Sequence, residues 1–332
     1  MLHGLFSQAI DELAANVLLH RFLSVRGGDP ARGPAAAELP GLYSGELAEF
    51  YSPLPKPVDL TARRQLVDER AGLRTWDYWF DSDTTTRWLE NNLVWCRHWQ
   101  STGNDRGLTV VGVDGIVQLG CRWFRRLAER IVPAGVDVVM MDAPCNFRRT
   151  PAGFRPGQLI IAGDLPHQLS ITRQAVLDLC RVIVSLQAQG RRVGLVGVSY
   201  GGWVTLLTSL VASSPEFLIA LVPPVDLVRM LRESTTIVRG IRRGLGYAPL
   251  DAAQLERIAR PIVPSNWPAP LPGDRIVLHA ARYDRLVPWK GIERLSQKWD
   301  TRLVMHSEAH FRLAMSGIST TQVAEQVLAF GT

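Results

Sequence analysis

The sequence predicts an α/β fold, a mostly parallel central sheet of about eight strands flanked by helices. Three observations predict it. After residue 108, short apolar runs of strand length alternate with longer amphipathic stretches, the pattern of a parallel sheet covered on both faces. One of those runs, 192–198, feeds through Gly197-Val-Ser199-Tyr-Gly201 directly into a small-residue helix start. A chain of 332 residues, 46% hydrophobic and 20% charged, is also long and apolar enough to bury a large core, which excludes a disordered protein.

Taken along the chain, residues 2–23 space Leu2, Leu5, Phe6, Ile10, Leu13, Val17 and Phe22 for an amphipathic helix. Such a helix packs on the body of the protein or on a second subunit, which leaves a homodimer open. Asp11, Glu12 and Asn16 fall where a signal peptide needs its apolar stretch, so a cytoplasmic location is expected. No apolar run reaches the roughly 18 residues of a transmembrane helix, and stable membrane insertion is not expected. Residues 27–57 are rich in glycine and proline without periodicity, so 1–74 reads as a helix and an arm, and 75–332 as the α/β domain. Strands are expected at 75–80, 92–99, 109–113, 136–141, 192–198, 217–221, 275–279 and 302–305. The first two follow one another without a helix and read as an antiparallel edge. Helices are expected at 117–132, 169–189, 202–212, within 227–259, at 289–297 and at 320–329.

Charge and composition exclude several functions. The net charge of +6 comes from scattered arginines, with Lys56, Lys290 and Lys298 the only lysines. Without a basic cluster interleaved with aromatics, no nucleic-acid partner is expected. Cys96, Cys121, Cys145 and Cys180 form no C-x-x-C pair, and the histidines no H-E-x-x-H, so no metal is expected.

The serine in G-x-S-x-G carries the chemistry. Small residues on either side permit a turn so tight that the hydroxyl projects above the sheet. A serine needs a base to take its proton and a group to orient that base, both at the ends of later strands. Asp284 follows the run 275–279, and His310 follows 302–305. Asp226, after the run 217–221, is a rival acid; His306, nearer its strand with Glu308 between, is a rival base. His279 lies inside a strand and reads as a buried, satisfied histidine.

At these residues the chain resembles the α/β-hydrolase superfamily over roughly residues 75–330: the elbow at Ser199, Tyr283-Asp-Arg-Leu-Val-Pro288 and Ala309-His-Phe311. Phe147-Arg-Arg-Thr-Pro151, followed by Gln174-Ala-Val-Leu-Asp178, more loosely resembles a bacterial subgroup of uncharacterised hydrolases. The resemblance implies an esterase-like serine hydrolase acting on a small-molecule acyl substrate without a cofactor. It makes Ser199 the nucleophile, His310 the general base and Asp284 the acid that orients it. It also implies an oxyanion hole from the backbone N–H of Tyr200 and a group after the run 109–113. The superfamily commonly has His-Gly there; this chain has Asp114-Gly115-Ile116, so Gly115 or Ile116 is the expected donor. An Asp114 carboxylate repels an oxyanion unless it is paired or turned away.

Three features bear on substrate. An Arg148–Arg149 fork can hold a substrate carboxylate or phosphate, or form an ion pair with a neighbouring loop or Asp142. Trp203 lines the pocket or the core. Residues 227–268, with Leu227, Met230, Leu231, Ile237 and Ile241 on one face, sit where the superfamily inserts a helical cap. Acyl transfer or C–C cleavage in the same site, or a non-catalytic binding or scaffold role favoured by Asp114, are the alternatives.

Overall fold

The computed structural model describes residues 8, 11–13, 45–70, 72–116, 121–161, 165–212, 215–226, 229–230, 252–315 and 317–331. Most of the helix expected over 2–23, and residues 227–228 and 231–251 of the expected cap, with Leu227, Leu231, Ile237 and Ile241, lie outside the described residues.

The sheet begins at one edge with β1 (Arg64–Arg70), β2 (Leu73–Asp81) and β3 (Leu93–Ser101), all antiparallel, and β3 pairs antiparallel with the strand Val136–Met141. From there β4 (Leu108–Val113), β5 (Val136–Met141), β6 (Arg192–Val198), β7 (Leu218–Leu221), β8 (Ile276–Ala281) and β9 (Arg302–His306) run parallel. The order across the sheet is β1-β2-β3-β5-β4-β6-β7-β8-β9. The ninth strand is a correction. Residues 64–70 belong to the sheet and not to the arm, although Arg-Gln-Leu-Val-Asp-Glu-Arg shows no apolar alternation. Its side chains are almost all exposed, and the ladder to β2 holds it. A charged edge strand of this kind discourages further pairing.

The inner strands are buried on both faces, so their side chains sort by simple alternation. Val111, Val113, Leu195, Ala220 and Leu278 point into one apolar layer; Val110, Val196, Val198, Ile219 and Val277 point into the other. Helices α1 (Arg122–Ile131), α2 (Leu165–Ala188), α3 (Tyr200–Ser209), α4 (Ala252–Ala259), α5 (Trp289–Trp299), α6 (His310–Met315) and α7 (Gly317–Phe330) follow in order. Leu169, Val176, Val204, Leu207 and Ile292 bring α2, α3 and α5 onto the first layer. Trp123, Leu127, Val323 and Val327 bring α1 and α7 onto the second.

The end of the arm is fixed to the body. Phe50 and Tyr51 are buried, and the Arg173 guanidinium on α2 donates to the carbonyls of Phe50 and Ser52. The Tyr51 hydroxyl reaches the Pro261 carbonyl at 3.4 Å. No helix among the described residues is long and apolar enough to cross a membrane.

Candidate active site

The site is built where β6 turns into α3. Ser199 takes φ 56° and ψ −120°, a backbone conformation L-residues rarely hold, and caps α3. Its N–H donates to the Leu221 carbonyl at 2.8 Å, and its carbonyl accepts from Trp203 N at 3.0 Å. The turn is possible because neither flank has a side chain. A Cβ on Gly197 would lie 2.4 Å from the Gly201 carbonyl oxygen, and one on Gly201 only 1.8 Å from that of Val113. As the first helical residue, Tyr200 has a backbone N–H without an intrahelical partner.

Ser199 Oγ lies 2.8 Å from His310 Nε2, and His310 Nδ1 lies 2.7 Å from Asp284 Oδ2. The other Asp284 oxygen accepts from Leu286 N at 2.8 Å and Val287 N at 2.7 Å, which fixes the carboxylate in its turn after β8. Nδ1 donating to a carboxylate leaves Nε2 as the acceptor toward Ser199. Burial opposes a charged His310 ring, but the Asp284 carboxylate outweighs it, and the imidazole is held above its ordinary value. The rival residues stand elsewhere. Asp226 accepts from Arg229 N at 3.0 Å. His306, at the end of β9, lies 2.9 Å from His279, whose other nitrogen meets Gln326 at 3.0 Å. Burial pushes His279 down to about 3.

Asp11, which no sequence signature marks as a site residue, joins this line. Asp11 is fully buried, and its carboxylate accepts from His310 N at 2.9 Å, Phe311 N at 3.1 Å and Arg285 N at 3.3 Å. Helical spacing places Leu13 on the apolar stripe and Asp11 off it, yet Leu13 is 68% exposed. Nothing in the local pattern marks Asp11, because its partners lie some 300 residues away in sequence.

Asp114 directly follows β4, with its side chain buried. One carboxyl oxygen accepts from the adjacent Gly115 N–H at 2.8 Å; the other has no partner among the described residues. Burial pushes its pKa up to about 8, so the group is a neutral acid at neutral pH. Two consequences follow for the expected oxyanion donors. No fixed negative charge stands at Asp114 to repel an oxyanion, and the Gly115 N–H is already engaged, leaving those of Tyr200 and Ile116.

Of the two readings of the Arg148–Arg149 fork, the structure shows the ion pair with Asp142, and both guanidinium groups are paired within the protein. Arg149 is wholly buried, pairs with Asp178 at 2.8 Å and donates to the carbonyls of Asn91 and Asp142. Arg148 lies 2.7 Å from Asp142 and 2.9 Å from Asp77. Gln174 accepts from Asn91 Nδ2 at 2.7 Å, and Asp178 from Ser82 at 2.7 Å. The Arg-Arg segment and the Gln174–Asp178 stretch are therefore two halves of one buried polar buckle. Trp203 sits in the core under the elbow, 5% exposed, with its indole N–H donated to the Ile262 carbonyl.

No protein-family profile and no curated protein matches the chain. Solved structures do. An acetyl xylan esterase from Paenibacillus sp. R4 superposes with a TM-score of 0.58 at 14% identity, over 85% of this chain and 99% of that one. Acetyl xylan esterase 1 from Thermoanaerobacterium sp. JW/SL YS485 gives 0.58 at 13%, over 89% and 99%. Carboxyl esterase 2 from the mycorrhizal fungus Tuber melanosporum gives 0.55 at 15%, over 97% of both chains. At such identities the likeness is one of architecture: the chain has the α/β-hydrolase fold these esterases share.

Proposed function

We propose that this chain is a serine hydrolase that cleaves an ester or related acyl bond in a small molecule. The observation that carries the reading is the hydrogen-bonded line from Ser199 through His310 to Asp284, with Ser199 strained at the head of α3. Ser199 Oγ attacks the acyl carbonyl as His310 Nε2 takes its proton. Asp284 keeps the ring in the tautomer that accepts at Nε2 and stabilises the imidazolium. The oxygen that becomes negative lies against the backbone N–H groups of Tyr200 and Ile116, where Asp114 in its neutral form adds no repulsion. His310 then returns the proton to the leaving alcohol. Water, deprotonated by the same imidazole, releases the acid and restores Ser199. An alcohol in place of that water gives acyl transfer through the same groups.

The fold shared with esterases makes the ester the first bond to test. Hydrolysis of a p-nitrophenyl ester series from acetate upward is expected from the wild-type chain. The rate should fall by about 10³-fold or more in Ser199→Ala and in His310→Ala. Hydrolysis undiminished in both variants would contradict the assignment.

A further inference from the structure

Asp11 is a costly residue to bury. A carboxylate removed from water is tolerated where hydrogen bonds and charge offset the loss, and here the offset comes from the two loops that carry the proposed acid and base. It spans them. Arg285 is the residue after Asp284, and His310 and Phe311 open α6, so one carboxylate receives backbone N–H groups from both sides of the Asp284–His310 contact. Beside it, Glu12 pairs with the Arg285 side chain at 3.0 Å on the surface.

We propose that Asp11 is a positioning residue: its carboxylate, supplied from the far N-terminal end of the sequence, locks the Asp284 loop to the backbone of His310 and sets the imidazole between Asp284 and Ser199. The proposal rests on the Ser199–His310–Asp284 reading. Among the described residues, the groups facing His310 are Asp284 from the loop after β8, Asp11 from the N-terminal segment and Ser199 from the elbow. The Glu12–Arg285 and Glu308–Arg312 pairs stand farther out. Asp11 and Asp284 thus both favour the protonated ring, from the backbone side and the Nδ1 side.

A residue that merely held the loops together would, when changed, lower the rate at every pH alike. A carboxylate that also sets the base does more. Without it the imidazolium loses a stabilising charge, the ring stays neutral to lower pH, and the acid limb of the profile moves down.

The test is the rate of Ser199 modification by a fluorophosphonate as a function of pH, in the full chain and in Asp11→Asn. Asp11→Ser stands in if Asp11→Asn does not fold, and Glu12→Ala serves as the control for surface charge. The expected result is an acid limb lowered by about half a pH unit and a plateau rate reduced about tenfold in the Asp11 variant, with the control unchanged. An Asp11 variant with the wild-type profile, or with a uniformly lower rate and an unmoved limb, would overturn the proposal. If folded wild type is not labelled at all, the reading of Ser199 as nucleophile fails instead. The NMR titration of the His310 ring then decides for Asp11, a lower midpoint in the variant supporting it and an unchanged one overturning it.

Discussion

His310 lies between carboxylates, with Asp284 at its Nδ1 and Asp11 at its backbone N–H, and that placement makes its protonation the first control on rate. It must be neutral to take the Ser199 proton, so activity is expected to rise with pH through a midpoint above 6.5, the ordinary value of the ring. Above about 8 the buried Asp114 ionises next to the expected oxyanion donors, and activity is expected to fall again. Asp114→Asn should erase that alkaline limb, which a pH–rate profile of kcat/KM reads directly. The same variant carries a stability signature. An Asp whose folded value is raised from 3.8 to about 8 contributes stability in acid that is lost progressively as the pH climbs between those values. The Tm of Asp114→Asn should therefore gain on wild type across that range, and a constant difference would contradict the burial argument. Asp284→Asn, which favours the wrong His310 tautomer, should lower kcat by on the order of 10⁴-fold while leaving the fold intact.

At the scale of elements, the buckle between the turn after β5 and α2 is expected to matter more for stability than for turnover. Arg149→Ala leaves the Asp178 carboxylate buried without its partner and should cost about 3–5 kcal/mol, measurable as a drop in the urea midpoint. A variant that unfolds at the wild-type midpoint would contradict this account of the buckle. The inner strands were the most legible elements, because two-sided burial writes them as unbroken apolar runs, and β5 and β6 fall at 136–141 and 192–198 as the pattern predicts. β1 was not legible, because a charged edge strand is held by its ladder and leaves no apolar period. The arginine pair and its partner Asp142 were visible in the sequence, but Asp77 and Asp178 come to it only in the folded chain.

Across the whole molecule, the two apolar layers and the parallel sheet bring the ends of β6, β8 and β9 to one edge, where Ser199, Asp284 and His310 meet. That these three residues come together was legible because each stands at or just beyond the end of a strand with a local signature. Asp11 was not, because its role exists only once a segment near residue 11 is laid against loops near 285 and 310. The same long-range packing sets the acid stability of the fold. His279 is held neutral down to about 3, whereas the unfolded ring binds a proton below 6.5, so stability present above 6.5 is lost as the pH falls. By pH 5 the loss amounts to about 2 kcal/mol relative to high pH, and His279→Gln should flatten that part of the stability profile.

The central claim, an activated serine at the elbow, is tested most directly by fluorophosphonate labelling of the intact protein followed by peptide mapping. One adduct on Ser199 of folded wild type, absent from equally folded Ser199→Ala, is the predicted result. A folded wild-type chain that takes no label, or a Ser199→Ala chain that takes it as well, would contradict the account.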